Sequence, residues 1–177
     1  MANITKIELS RDEILKYLEI LNQKLEKKNI RGEIFMVGGA VMCLAFKSRY
    51  STFDIDAVFI PADEIQACVF EISREYNIQP LWLNDIVYQY LSDKGVFNEY
   101  KNYSHLKIFV AVPEYMLALK CLSARIGNAD ELSDLKFLIS HLGLKTKEDV
   151  YKTITEFYSL DEFQARLDVL LNEILPK

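Results

Sequence analysis

The chain is short of the residues that mark fibrous, disordered or disulfide-built proteins. Six glycines and four prolines among 177 residues are too few for a low-complexity or repeat-built chain, so a folded domain is expected. Cys43, Cys68 and Cys121 are odd in number, far apart and set among apolar neighbours. They read as buried free thiols of a reducing cytosol, with no disulfide framework and no zinc pattern. Positive charge is in deficit: 21 Lys and Arg against 26 Asp and Glu give a net charge of −5. That argues against a general nucleic-acid binder, which needs excess cations to displace counterions, and leaves room for a local basic patch. Long apolar runs are also missing. The longest without a charge, Ile34 to Phe46, covers 13 residues, short of the roughly 20 that cross a bilayer. The first residues become charged and helical too early for a signal peptide. A cytoplasmic protein with no membrane partner is the expectation.

What is present is strongly patterned. Ser10 with Glu13 forms a capping box, and Ile14, Leu18, Leu21 and Leu25 follow as one apolar stripe of a first helix. Glu33 to Val37 reads as a strand running into Gly38-Gly39 and a short apolar helix, Ala40 to Phe46. A polar loop leads to a second strand, Phe53 to Ile60, stopped by Pro61 and followed by a crossover helix, Asp63 to Tyr76. Asn77 to Tyr103 is a mixed segment holding Trp82, the single tryptophan, and a turn near Gly95. Leu106 to Val112 is a third strand, and from Pro113, well suited to a helix's first turn, four helices are expected. Thr146 with Asp149 and Ser159 with Glu162 offer caps, and Gly127 and Gly143 mark helix ends. The pattern predicts an α+β fold: a small mixed sheet flanked by helices over residues 1–112, then a helical part over 113–177.

The chemistry concentrates in Asp54-Ile55-Asp56. On a strand, residues two apart point the same way with Cα atoms about 6.5–7 Å apart, so the carboxylates can share hard divalent cations such as Mg²⁺. The same arrangement suits in-line phosphoryl or nucleotidyl transfer. With 26 acids in 177 residues, about four acid-x-acid triplets arise by chance, and an isolated one reads as a strand edge facing water. The apolar strand around Asp54 and Asp56 is what raises its standing. Gly38-Gly39 lies between strand and helix, where backbone N–H groups can hold an anion and glycine admits a phosphate close to the main chain. The plainer alternative is a tight strand-to-helix turn. No P-loop or dinucleotide-binding glycine pattern occurs.

Met36-Val37-Gly38-Gly39-Ala40, then Arg49, Thr52 and Asp54-Ile55-Asp56, resembles the opening of the DNA polymerase β-like nucleotidyltransferase superfamily. Three later stretches make the chain similar to the small prokaryotic proteins near the AbiEii-type abortive-infection toxins: Trp82-Leu83-Asn84-Asp85; Glu114 to Lys120 with Ala124-Arg125; and the pair Asp130 and Asp134. The resemblance implies a transferase that moves a nucleotidyl group from an NTP to an acceptor hydroxyl, on RNA or protein, in a toxin–antitoxin or phage-defence setting. It implies Mg²⁺ or Mn²⁺ on Asp54 and Asp56, the triphosphate at Gly38 and Gly39 with Arg49 and Thr52, and Lys120 and Arg125 reaching phosphates or the acids. Asp130 would join the catalytic set, and Asp130 and Asp134 would orient Lys120 or add a second acidic cluster. A cognate antitoxin or toxin would be the protein partner.

Plainer readings stand beside these. Lys120 could be a snorkelling lysine, Arg125 with Asp130 or Asp134 a structural ion pair, Arg49 a loop tether and Trp82 a core aromatic; Asn84 and Asp85 could cap the following short helix. The superfamily usually carries a third carboxylate on a later strand, whereas Leu106 to Val112 has Lys107 as its only charge. Either Asp85 or Asp130 substitutes, or the protein is a nucleotidyltransferase-like scaffold that binds a partner without turnover.

Overall fold

The computed structural model describes residues 6–161 and 163–175. These residues form two compact units: the described part of Met1–Gln89 with Phe97–Val110, and Tyr90–Val96 with the described part of Ala111–Lys177. The architecture is mixed, with a five-stranded sheet, a two-stranded ribbon and seven α-helices among the described residues. No described helix is long and apolar enough to cross a membrane.

The first unit opens with β1 (Leu9–Ser10) and α1 (Arg11–Lys27). Ser10 caps α1 as its sequence predicts: its hydroxyl accepts from the Glu13 amide, and the Glu13 carboxylate accepts from the Ser10 amide. Ile14, Leu18, Leu21 and Leu25 are all fully buried. Next come β2 (Gly32–Val37), α2 (Gly38–Leu44), β3 (Ser51–Thr52) and β4 (Ile55–Ile60). After these lie α3 (Ala62–Tyr76), β5 (Leu83–Asn84), a 3₁₀ turn at Ile86–Tyr90, β6 (Phe97–Asn102) and β7 (Leu106–Ala111). Two boundaries differ from the sequence pattern. The glycine pair forms the first turn of α2 itself, and β4 begins at Ile55, leaving Phe53 outside the strand and 44% exposed.

The large sheet runs β5-β4-β2-β7-β6. β2 pairs antiparallel with β4 and parallel with β7, and β4 pairs parallel with β5. The register sorts side chains cleanly onto two faces. Ile34 and Met36, Ile55, Ala57 and Phe59, Leu106 and Ile108 are buried on one face, whose helical cover comes from α1 and α3. The start of β2 lies beneath both helices, since a Cβ on Gly32 would meet Ile65 and Leu25 at 3.0 and 3.2 Å. Trp82 is fully buried beside Tyr17 and donates its indole N–H to the Val69 carbonyl, a core aromatic. The opposite face carries Glu33, Phe35, Asp56, Val58, Lys107 and Phe109, where Phe35 stacks on Phe109 at 4.7 Å and meets Phe97 edge-on.

The second unit contains α4 (Pro113–Ser123), α5 (Ala129–His141), α6 (Lys147–Thr155) and α7 (Gln164–Ile174). Thr146 and Asp149 form the expected capping box, and Gly143 follows α5 with φ +68°. Gly127 instead lies inside the α4–α5 connection. The Ser159–Glu162 cap is not what starts the last helix. Glu162 lies outside the described residues, Ser159 donates to Asp161, and Phe163 holds the N-cap position without a side-chain bond. Tyr115 organises the unit's interior: its hydroxyl accepts from the Ser92 amide, and its ring leaves no space for a side chain at Gly95. Burial and the Tyr115 hydrogen bond push the Tyr158 hydroxyl's pKa up. All three cysteines are free and buried, and burial pushes the Cys121 thiol up to about 12.

Ser10→Ala removes the α1 cap and is expected to cost about 1 kcal/mol near neutral pH, read as a Tm lowered by roughly 2–4 °C. The Glu13 carboxyl is held below its usual range, first by the Ser10 amide and then by the Ser10 hydroxyl. A depressed carboxylate contributes fully above its unfolded pKa, about 4.3, and its contribution is lost as pH falls through the folded value. The difference in Tm between wild type and variant should therefore narrow in acid; a gap that widened there would contradict the capping geometry.

Candidate functional site

The site is built where β2 ends and β4 begins. Because these strands are antiparallel, Val37, the last residue of β2, lies directly opposite Asp56. The chain then turns at Gly38, whose φ of +71° is a left-handed conformation that costs other residues roughly 1–2 kcal/mol. A Cβ at Gly38 would stand 3.0 Å from Asp56 Oδ2, so the carboxylate is set against the glycine main chain. A Cβ at Gly39 would stand 2.6 Å from Thr52 Oγ1 and 3.5 Å from an Arg49 guanidinium nitrogen. Gly38, Gly39, Arg49, Thr52 and Asp56, distant in sequence, therefore form one cluster.

Local pairing fixes each member. Thr52 is buried and lies in β3 opposite Leu9 of β1, and its hydroxyl donates to the Asp54 carbonyl at 3.2 Å. Asp54 precedes β4 by one residue, and its carboxylate meets Lys6 Nζ at 3.0 Å. That ammonium also lies 5.4 Å from the Phe53 ring centroid. Gln79 ties the same corner together by accepting from the Ile7 amide and donating to the Ile7 and Phe53 carbonyls. Neither Lys6 nor Gln79 carried any signal in the sequence, since each acts on partners at least 26 residues away along the chain.

Asn84 lies beside Asp56 in the β4–β5 register and is buried, with its side-chain oxygen accepting from the Ile86 amide. It caps the short 3₁₀ turn, as its position suggested. Asp85, the next residue, is exposed. β7 supplies no acid, and among the described residues no group of three or more His, Cys, Asp or Glu side chains could hold a metal. The oxygen groups set against the glycine pair are the Asp56 carboxylate at Gly38 and the Thr52 hydroxyl at Gly39, with Asp54 leading into the same strand.

The remaining predicted site residues belong to the second unit. Lys120 is not a solvated surface lysine: its Nζ meets Asp134 Oδ2 at 2.6 Å, with the two side chains 12% and 2% exposed. Asp134 thus holds Lys120, while Asp130 stands exposed in the first turn of α5. Arg125 pairs with neither Asp130 nor Asp134. Glu131 accepts from its backbone amide at 2.6 Å and from its guanidinium at 3.5 Å.

No protein-family model, no curated protein and no solved structure matches the chain.

Gly39→Ala drives a methyl group toward the Thr52 hydroxyl and should destabilise by about 1–3 kcal/mol. Combining it with Thr52→Ala opens that space, so the double variant should be more stable than the sum of the singles by at least about 0.5 kcal/mol. Urea unfolding of the four proteins measures this; strict additivity would contradict the close approach of residues 39 and 52.

Proposed function

We propose that the first unit is a nucleotidyltransferase-like domain, and that the protein transfers a nucleotidyl group from an NTP to an acceptor hydroxyl. The observation that carries the reading is the approach of the Asp56 carboxylate to Gly38, with Arg49 and Thr52 at the adjacent Gly39. A strand that merely faced water would have no need to bring an acid, a guanidinium, a hydroxyl and two glycines into one cluster.

In this reading Asp54 and Asp56 hold Mg²⁺ or Mn²⁺, because carboxylate and hydroxyl oxygens suit hard cations. A bound ion would supply the positive charge that offsets the phosphates. Arg49 donates to phosphate oxygens in a planar fork. Glycine at 38 and 39 lets the Asp56 carboxylate and the Thr52 hydroxyl stand against the main chain, and in this reading the triphosphate would lie at the same turn. Lys6 occupies the Asp54 carboxylate with a solvent-exposed pair, whose worth of roughly 0–1 kcal/mol makes it replaceable. Lys120 is held by Asp134, so any phosphate contact it makes competes with that pair.

Transfer joins the acceptor oxygen to the α-phosphorus and releases pyrophosphate, and the acceptor's proton must pass to a base. β7 offers none. That observation favours a second reading, a partner-binding scaffold of the same fold without turnover, in the setting of a toxin–antitoxin pair.

Thermal unfolding with each NTP and Mg²⁺ separates the two. A ligand at about a hundred times its Kd adds about 2.7 kcal/mol, which raises the midpoint by roughly 5–11 °C at this size. The increment should need the metal and vanish in Asp54→Asn/Asp56→Asn. Comparing increments matters because neutralising neighbouring carboxylates can itself stabilise the empty protein. No metal-dependent increment with any NTP would sink the transferase reading.

A further inference from the structure

At the other end of the strands that carry Asp56, a groove of about 350 Å³ opens among Arg31, Glu33, Ile60, Tyr103, His105 and Lys107. We propose that this groove binds single-stranded nucleic acid.

The first argument is charge. On a protein of net charge −5, many described cations are already spent on carboxylates: Lys24 on Glu71 and Glu75, Lys28 on Glu71, Lys120 on Asp134 and Arg125 on Glu131. Among the described residues no carboxylate pairs with Arg31, Lys101 or Lys107, and Arg31 and Lys107 line the groove. Glu33, beside Lys107 in the β2–β7 register, is the one acid of the lining, and Glu26 lies 3.8 Å from His105 Nδ1. Within the lining two permanent cations stand against one acid, and Lys101 flanks them on Tyr103.

The second argument is the ring. Tyr103 is half-buried in the wall, and Lys101 Nζ lies 4.8 Å from its centroid. Cations that follow a phosphate backbone beside an aromatic face for a base are the two elements of sequence-tolerant single-strand binding. An acidic peptide would use the cations and leave the ring without a role. The volume suits a nucleotide-sized segment.

The third argument is that the wall is built. Asn22, buried on α1, accepts from the His105 amide at 2.8 Å and donates to Ser104 Oγ at 3.3 Å, while the Gly32 amide donates to the His105 carbonyl at 2.9 Å. The turn that presents Tyr103 is therefore held before any ligand arrives.

This inference does not rest on nucleotidyl transfer, and its test contains neither NTP nor divalent metal. Fluorescence anisotropy of the full chain would use a labelled single-stranded RNA of about twelve nucleotides and its DNA counterpart. Binding should weaken with salt. Arg31→Ala/Lys107→Ala, which alters exposed side chains alone, should weaken it at least about tenfold near 50 mM salt and reduce the salt slope by about 1.4. Tyr103→Leu should weaken it at least about fivefold with the slope unchanged. Lys94→Ala/Lys136→Ala removes the same charge elsewhere and should stay within about twofold of wild type. Three results would overturn the proposal: no binding by wild type to either strand, equal losses in the groove and control variants, or polyglutamate competing as well as RNA while Tyr103→Leu changes nothing.

Discussion

The pairing of β2 with β4 is the constraint on which the first unit depends. Antiparallel order brings the end of β2 to the start of β4, so Val37 lies opposite Asp56 and the glycine turn meets the acid. A parallel pairing of the same strands would put Gly38 and Asp56 at opposite ends of the sheet. Register matters as much as direction. A slip of one residue would turn Asp56 onto the face that buries Ile55, Ala57 and Phe59 and strand an unpaired carboxylate among apolar side chains, at a cost of several kcal/mol.

The two faces of the sheet divide the work of this unit. One face buries aliphatic side chains, with α1 and α3 as its helical cover, and provides the stability that holds the register. The other keeps Asp56, the Phe35–Phe109 stack and Lys107 at partial or full exposure. Along β2, Val37 lies four residues beyond Glu33, about 13 Å at strand rise. The Asp56 cluster and the groove lined by Arg31 and Lys107 thus lie at opposite ends of the strands.

Features whose signals are local were legible in the sequence. The Ser10–Glu13 and Thr146–Asp149 caps, the apolar stripe of α1, the alternation of β4 and the four late helices each follow from residues a few positions apart. The Gly-Gly turn and the acid pair could be singled out, but their meeting could not, because it depends on strand direction. Features made by distant partners were silent. The β1–β3 ribbon, which fixes Thr52, joins residues more than 40 apart, and the Gln79 bonds reach back to Ile7. β6 escaped because Phe97 to Asn102 shows little apolar alternation on an edge that is largely exposed. The plainer reading of Arg125 pairs it with Asp130 or Asp134, whereas the connection between α4 and α5 brings Glu131 onto it instead.

The ion pairs separate by burial, and that separation orders their importance. Lys6–Asp54 and Arg125–Glu131 each have at least one side chain more than half exposed, where water screens the attraction and exchange with other ions costs little. Lys120–Asp134 lies in the interior of the second unit, where removing one partner would leave the other charge without its counterion. A lysine committed in this way is positioned, not free to follow a ligand. The first unit follows the opposite rule at Asp54, where a partly exposed carboxylate is balanced by an exposed surface cation. An exchangeable countercharge belongs where an incoming cation must be accepted, and a fixed one where the fold must not change. By that criterion Asp54 is a carboxylate whose countercharge an incoming cation could displace, as the proposed function requires, and the Lys120–Asp134 pair serves the architecture of the helices around it.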